Sequence, residues 1–255
     1  MHLQIISALL LASEASAHGG VMSYSVGGTT YKGYGVKGLH ADNRFTTTNP
    51  GATIQRHWAE IRPVTDPASP TLACNKPGSP GKLSATIQAG ANITAFWNNK
   101  QIDNPWPHNS GPITVYMTEC KGDCSTWAQA SEGEWFKIYQ AGLLSGTVGQ
   151  GQWGTTKMIS NGYSVTTRIP ASLKPGNYLI RHETINLARA PAEFYPECAQ
   201  LKVTGSGTTS PPKEYRFKLP GVYKKTDVAI KYSYRDSQVA SSSKYIIPGP
   251  EVWKG

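Results

Sequence analysis

Along this chain, apolar and polar residues alternate in short runs and do not recur at a helical spacing. Ile113, Val115 and Met117 alternate with Thr114, Tyr116 and Thr118, and Val165 and Ile169 flank Thr167. Tyr178 to Ile185 mixes aliphatic and charged residues at period two, and Leu201 and Val203 continue the pattern near Cys198. A period of two sends successive side chains to opposite faces of a strand. Turn signals separate the runs: Pro77-Gly78, Pro80-Gly81, Lys174-Pro-Gly-Asn177 and Pro220-Gly221. Short strands punctuated in this way predict an all-β fold, an antiparallel β-sandwich. No long stretch keeps a helical period, although Gln129 to Tyr139 has room for a turn or two.

Between His18 and Cys74, and again from Pro211 to Gly255, the alternation gives way to long irregular segments. They are rich in Tyr and Trp, which argues against disorder, and long ordered loops on a rigid sandwich are usually functional. The stretch Ser206 to Pro212 reads like a linker. The tail beyond it holds Tyr215, Phe217, Tyr223, Tyr232, Tyr245 and Trp253, and is assigned to the same domain. The expected organisation is one catalytic-size domain over 18–255, with no appended binding module.

The 255 residues are 16% charged and 38% hydrophobic, enough chain to bury a real core. No run of eighteen apolar residues occurs, so no membrane span is expected. The first seventeen residues differ from the rest. An apolar stretch, Leu3 to Ala12, leads to Ala15-Ser16-Ala17, the small-x-small pattern of a signal-peptidase site. Residues 1–17 are therefore expected to be a signal peptide, the mature chain to begin at His18, and the protein to be extracellular. Removing Glu14 with that segment leaves 25 basic and 15 acidic residues, a net charge of +10. The basic residues are scattered, and the densest pair, Lys224-Lys225, lies in a Gly/Pro/Tyr-rich region. That distribution argues for a solvated surface and against a nucleic-acid partner; a monomer is expected.

Four cysteines in a secretory context imply two disulfides, with three possible connectivities. Gly-Asp between Cys120 and Cys124 makes a turn that closes that pair locally, which leaves Cys74 with Cys198. The long bridge would restrict the unfolded chain by roughly 5 kcal/mol in the loop-entropy picture. A C-x3-C zinc half-site would need a second half-site, and the chain has none. Asn92-Ile-Thr94 is an N-glycosylation sequon.

A histidine directly after a cleavage site is chemically distinctive. Its α-amino group, with a reference pKa of about 7.7–8.0, can bind metal as a neutral nitrogen, and its imidazole can close a chelate ring. A third nitrogen from a second histidine completes a planar set that suits Cu(II). His108, in Trp-Pro-His-Asn-Ser-Gly-Pro just before a predicted strand, is the candidate for that nitrogen. Tyr195, in Phe-Tyr-Pro-Glu-Cys and tethered near Cys198, is the third candidate.

His18-Gly, the His108-x-x-Gly-Pro segment, Arg181-His-Glu, Phe194-Tyr-Pro-Glu-Cys and Ile247-Pro-Gly-Pro-Glu-Val-Trp253 follow one another in this order. Together with Ala73-Cys-Asn-Lys-Pro-Gly and Gly122-Asp-Cys124, they make the chain resemble the fungal lytic polysaccharide monooxygenases of auxiliary activity family 9. The likeness covers essentially the whole mature chain. It implies an immunoglobulin-like sandwich whose long loops form a flat face displaying one copper ion. His18 would bind that ion through its α-amino and ring nitrogens, His108 through its ring, and Tyr195 would sit in a distant axial position. The resemblance also implies an external electron donor, O2 or H2O2 as co-substrate, and hydrogen abstraction at C1 or C4 of a polysaccharide such as cellulose or cellulose-associated xylan. Tyr31, Tyr34 and Tyr245 fall in regions that resemble the family's substrate-facing loops.

The chain departs from its relatives at two places. Glu193 stands two residues before Tyr195 where the family usually has Gln, and Ala188 followed by Arg189 stands where a His usually ends the preceding strand. A compensating Arg189–Glu193 pair beside the metal is the expectation. Two rival functions need other features. A glycosidase needs two carboxylates flanking one bond, and Glu183, Glu193 and Glu197 show no such arrangement in sequence. A non-catalytic copper- or glycan-binding protein on the same fold is the other alternative.

Overall fold

The computed structural model describes residues 19–39, 45–59, 61–98 and 105–255. Two sheets face each other across the main core. The first contains β1 (Val21–Val26), β2 (Thr29–Lys32), β4 (Asn92–Trp97) and β7 (Ser164–Arg168), in the order β7-β4-β1-β2. The second contains β3 (Ala85–Gln88), β5 (Ile113–Glu119), β6 (Phe136–Ala141), β8 (Gly176–Asn186) and β9 (Glu193–Thr204), in the order β3-β9-β8-β5-β6. Neighbours are antiparallel except β3, which runs parallel to β9. This is the predicted β-sandwich.

The alternating runs do what their period dictates. Register places His182 opposite Val115 on β5 and opposite Glu197 on β9, so Ile113, Val115, Met117, Ile180, Ala199, Leu201 and Val203 share the inner face. They meet Val26, Ile93, Ala95 and Trp97 of the first sheet. The outer face departs from the usual half-solvated antiparallel sheet. Thr114, Tyr116 and Thr118 are buried as fully as the residues they alternate with. The tail covers them. Phe217 pairs with Trp135, Val252 pairs with Lys137, and Leu219 and Tyr223 are buried beneath the loops. Trp253 then turns into the main core, its ring edge-on to Phe136 at 5.4 Å.

Three charged side chains lie on that covered face, Lys137 and a pair. Arg181 and Glu183 are fully buried and paired. Arg181 donates to the carbonyls of Leu72 (2.8 Å) and Ala73 (2.9 Å), and Glu183 accepts from Thr114 Oγ1 (2.9 Å) and the Tyr223 hydroxyl (2.7 Å). A buried pair is tolerable when most of its remaining hydrogen-bond capacity is used, and here only Arg181 Nη1 of the pair has no hydrogen-bond partner among the described residues. The disulfides are Cys74–Cys198, spanning 124 residues, and Cys120–Cys124, as the spacing argued.

Among the described residues, the segment from Gly19 to Cys74 is more regular than its sequence suggests. It contains β1, β2 and a hairpin of Gly35–Leu39 with Phe45–Thr48. A register shift between Val21 and Ser23 breaks the period of two, so Val21, Tyr24 and Val26 all point inward despite uneven spacing.

The inner face also buries His182, with neither ring nitrogen hydrogen-bonded among the described residues. Its ring lies 5.7 Å from that of Tyr24 and 6.1 Å from that of Trp97. Burial lowers its pKa from 6.5 to about 3. The folded chain keeps His182 neutral, whereas the unfolded chain protonates it below 6.5, so stability is lost as pH falls through that window. Compared with a His182→Leu variant, the wild type should lose roughly 1.4 kcal/mol per pH unit between pH 6.5 and 3 in urea unfolding. Parallel pH profiles would refute this.

Candidate metal centre

The described chain begins at Gly19, and two glycines set how it enters the fold. A Cβ on Gly19 would lie 2.2 Å from Asn98 Oδ1, and one on Gly20 would lie 2.7 Å from Glu197 Oε1. Gly20 N–H donates to Asn98 Oδ1 (3.2 Å), and the Asn98 carbonyl accepts from Trp106 N–H (3.0 Å). Asn98 thus ties the beginning of the described chain to the loop that carries His108. His18 itself lies outside the described residues.

Several contacts hold that loop. Trp106 Nε1 donates to the His108 carbonyl (3.0 Å), and Thr156 Oγ1 donates to the Asn109 carbonyl (2.7 Å). The Ser110 carbonyl accepts from Leu187 N–H (3.0 Å). Gly111 is required where it is, because a Cβ there would lie 1.8 Å from the Ile185 carbonyl oxygen. The loop therefore lies directly against the end of β8.

His108 and Tyr195 are brought together as expected. His108 Nε2 is 2.9 Å from the Tyr195 hydroxyl, and the rings are 5.3 Å apart. Trp106 meets both rings edge-on, at 5.2 and 4.9 Å. Tyr195 is buried on the inner face of β9. Burial, and next the Glu193 carboxylate, push its hydroxyl pKa well up, which keeps the phenol protonated.

Glu193 lies two residues earlier on the same face. Its Oε2 accepts from Asn186 Nδ2 (2.6 Å) and from the Tyr195 hydroxyl (3.3 Å). Arg189 Nε is 3.7 Å from Oε1. The Arg189–Glu193 ion pair is therefore present but long, and the Arg189 side chain is 66% exposed. Asn186 is the nearer partner, and the sequence reading missed it. Its signal was positional, since Asn186 is directly opposite Glu193 in the β8/β9 ladder. Ala188 follows in the bend, its N–H donating to Asn186 Oδ1 (3.1 Å).

The three tyrosines of the expected substrate face have different surroundings. Tyr31 packs against the sandwich core. Tyr34 is half-buried and packs on the His57 ring at 4.6 Å with the rings tilted by 32°, a contact not foreseen from sequence. Tyr245 is half-buried, edge-on to Trp153 at 4.8 Å, with its hydroxyl donating to the Ala229 carbonyl (2.9 Å). Asn92 is exposed at the first position of β4.

Residues 18–245 match Auxiliary Activity family 9, formerly GH61. The chain belongs to that family. It is 43% identical over 257 residues to a family 9 lytic polysaccharide monooxygenase B from Heterobasidion irregulare, covering 98% of each chain. A family 9 monooxygenase D from Thermothelomyces thermophilus is 38% identical, over 100% of this chain and 96% of its own. The crystal structure of HiLPMO9B superposes with a TM-score of 0.81 at 43% identity, covering 93% of this chain and all of the other. A cellulose-active polysaccharide monooxygenase from M. thermophila superposes with a TM-score of 0.80 at 37% identity, again over 93% of this chain and all of the other. The chain is thus an enzyme of the oxidative, polysaccharide-cleaving class, a lytic polysaccharide monooxygenase of family 9. The glycosidase rival also finds no support in the geometry, because Glu183 is buried on the outer face while Glu193 and Glu197 are buried on the inner one.

The contacts of Glu193 yield a testable ranking. In unfolding double-mutant cycles, Asn186→Ala and Glu193→Gln should couple by about 1.5–3 kcal/mol, as expected for a buried hydrogen bond to a charged group. Arg189→Ala and Glu193→Gln should couple by less than about 1 kcal/mol, and high salt should erase the coupling. The reverse order would show that Arg189, not Asn186, holds Glu193.

Proposed function

We propose that this family 9 enzyme is copper-dependent and that His18 and His108 hold the ion, His18 through its α-amino and ring nitrogens. The observation that carries the reading is the close approach of His108 Nε2 to the Tyr195 hydroxyl, on a loop that Asn98 also ties to Gly20. Among the described residues no three His, Cys, Asp or Glu side chains gather. A metal at His108 therefore needs nitrogens from elsewhere, and a chain that starts at residue 18 would supply two. Imidazole and amine nitrogens with a neutral phenol behind them form a donor set suited to copper.

Bound there, copper would supply one-electron redox chemistry and activation of O2 or H2O2, with electrons from an external donor. The protein's part is positional. Trp106 and the β8 end fix the His108 ring, so little reorganisation is needed on binding metal. The buried Tyr195 hydroxyl stays protonated and donates to Glu193, and Asn186 holds that carboxylate in place. Tyr34, backed by His57, offers a partly exposed aromatic face for a pyranose ring, with Tyr31 and Tyr245 as further substrate contacts.

The substrate is an insoluble β-linked polysaccharide, cellulose or cellulose-associated hemicellulose such as xylan, attacked at C1 and/or C4. Secretion follows removal of residues 1–17, with a glycan at the exposed Asn92. The enzyme works as a monomer. The deciding assay is mass spectrometry of soluble products. Oxidised ends should require both copper and reductant, and ordinary hydrolytic ends under all conditions would overturn the reading. A form carrying one extra residue before His18 should bind copper at least about 100-fold more weakly by titration calorimetry, since the α-amino ligand is displaced. Equal affinity would remove His18 from the site.

A further inference from the structure

Past Asn186, the end of β8 leads into a second feature, away from His108, that shares only Tyr245 with the proposed substrate contacts. Leu187 forms the floor of a cavity of about 280 Å³, which the tail closes from the other side. The tail is pinned there by Tyr234 N–H donating to the Leu187 carbonyl (2.8 Å). Val148 and Val239 extend the aliphatic wall, and Val228 and Ile246, at 66% and 85% exposure, stand out in the solvent at the mouth.

Aromatic rings complete the lining, and hydrogen bonds fix two of them. Tyr232 donates to Gln238 Oε1 (3.0 Å), and Tyr245 donates to the Ala229 carbonyl (2.9 Å). Lys231 Nζ lies 5.0 Å from the Tyr232 ring, and the Arg235 guanidinium lies 5.0 Å from the Tyr234 ring. The lining contains Lys244 and no carboxylate. The nearby acids are engaged in turns of the tail, Asp227 accepting from Lys224 N–H (2.9 Å) and Asp236 from Gln238 N–H (2.9 Å).

Each feature narrows the occupant. A dry cavity of about 150 Å³ takes one benzene ring, so this one holds a ring with a short side chain. The lining is mostly apolar, with Gln238, Ser242 and Lys244 as exceptions, so most hydroxyls of a sugar would lack partners, which disfavours a saccharide. Fixed tyrosine rings favour a flat aromatic guest. The cations around the slot favour a negative charge at the mouth.

We propose that this slot binds a small planar aromatic carboxylate, of the hydroxycinnamate kind, with its ring between the tyrosines and its carboxylate at Lys244. No step of this needs the metal, so the inference can fail while the oxidative function stands.

The probe is 4-methoxycinnamate, which has the shape but no oxidisable phenol, titrated calorimetrically into the secreted protein. Binding should fall in the range of about 0.1–1 mM, ordinary for a ligand of this size. Lys244→Met should weaken it about three- to fivefold while leaving the affinity for the methyl ester unchanged. Ile246→Asp should weaken both acid and ester. Both positions are exposed, so the fold should survive the changes. No binding, equal loss of acid and ester in Lys244→Met, or displacement of the probe by cellobiose would each overturn the proposal.

Discussion

Arg181 and Glu183 sit on a face of the five-stranded sheet that would ordinarily meet water, and neither could be buried alone. Removing one partner of such a pair costs about 3–5 kcal/mol, because the other charge is left uncompensated. The pair therefore needs everything that covers it. Leu72 and Ala73 bring their carbonyls to the guanidinium, next to the Cys74–Cys198 bridge, and Tyr223 brings a hydroxyl from the tail to the carboxylate. Tyr223 in turn bonds to Tyr116, and Lys137, buried on the neighbouring strand, donates to the Pro248 carbonyl. Loop, strand and tail are held by one polar network. That network is why β5 can bury both of its faces.

The candidate metal centre uses the opposite side of the same strands. β9 sends Cys198 and Phe194 outward and Glu193 and Tyr195 inward. The disulfide that secures the outer covering thus lies on the same strand as Tyr195, three residues away. Small residues do the rest, where Gly19, Gly20 and Gly111 allow backbones and side chains closer than a Cβ would.

Much of this could be read in the chain, and the failures have identifiable causes. The strands with strict alternation, β5, β8 and the end of β9, were legible because a period of two needs no tertiary information. β1 was not, since a bulge at Val21–Ser23 scrambles the period. The double burial of Thr114, Tyr116 and Thr118 was hidden because the segment covering them has no period of its own. Tyr195 and His108 could be named as candidates, but 87 residues separate them and only the fold shows their contact. The joint departure of Arg189 and Glu193 from the family pattern suggested a pair, whereas the stronger Asn186 contact depends on a strand register that no local pattern specifies.

Trp253 has a consequence for how the protein is made. Its ring fills the main core beside Phe136, and its N–H donates to the Lys137 carbonyl (2.8 Å). The first strand of that core begins at Val21. A nascent chain emerging from the ribosome therefore carries an unfinished core until residue 253 has cleared the exit tunnel. Contacts between such distant positions close slowly, and exposed strand edges invite association in the meantime. Closure of this core therefore waits for the segment that carries Trp253, and depends on whatever shields the unfinished sheets until then.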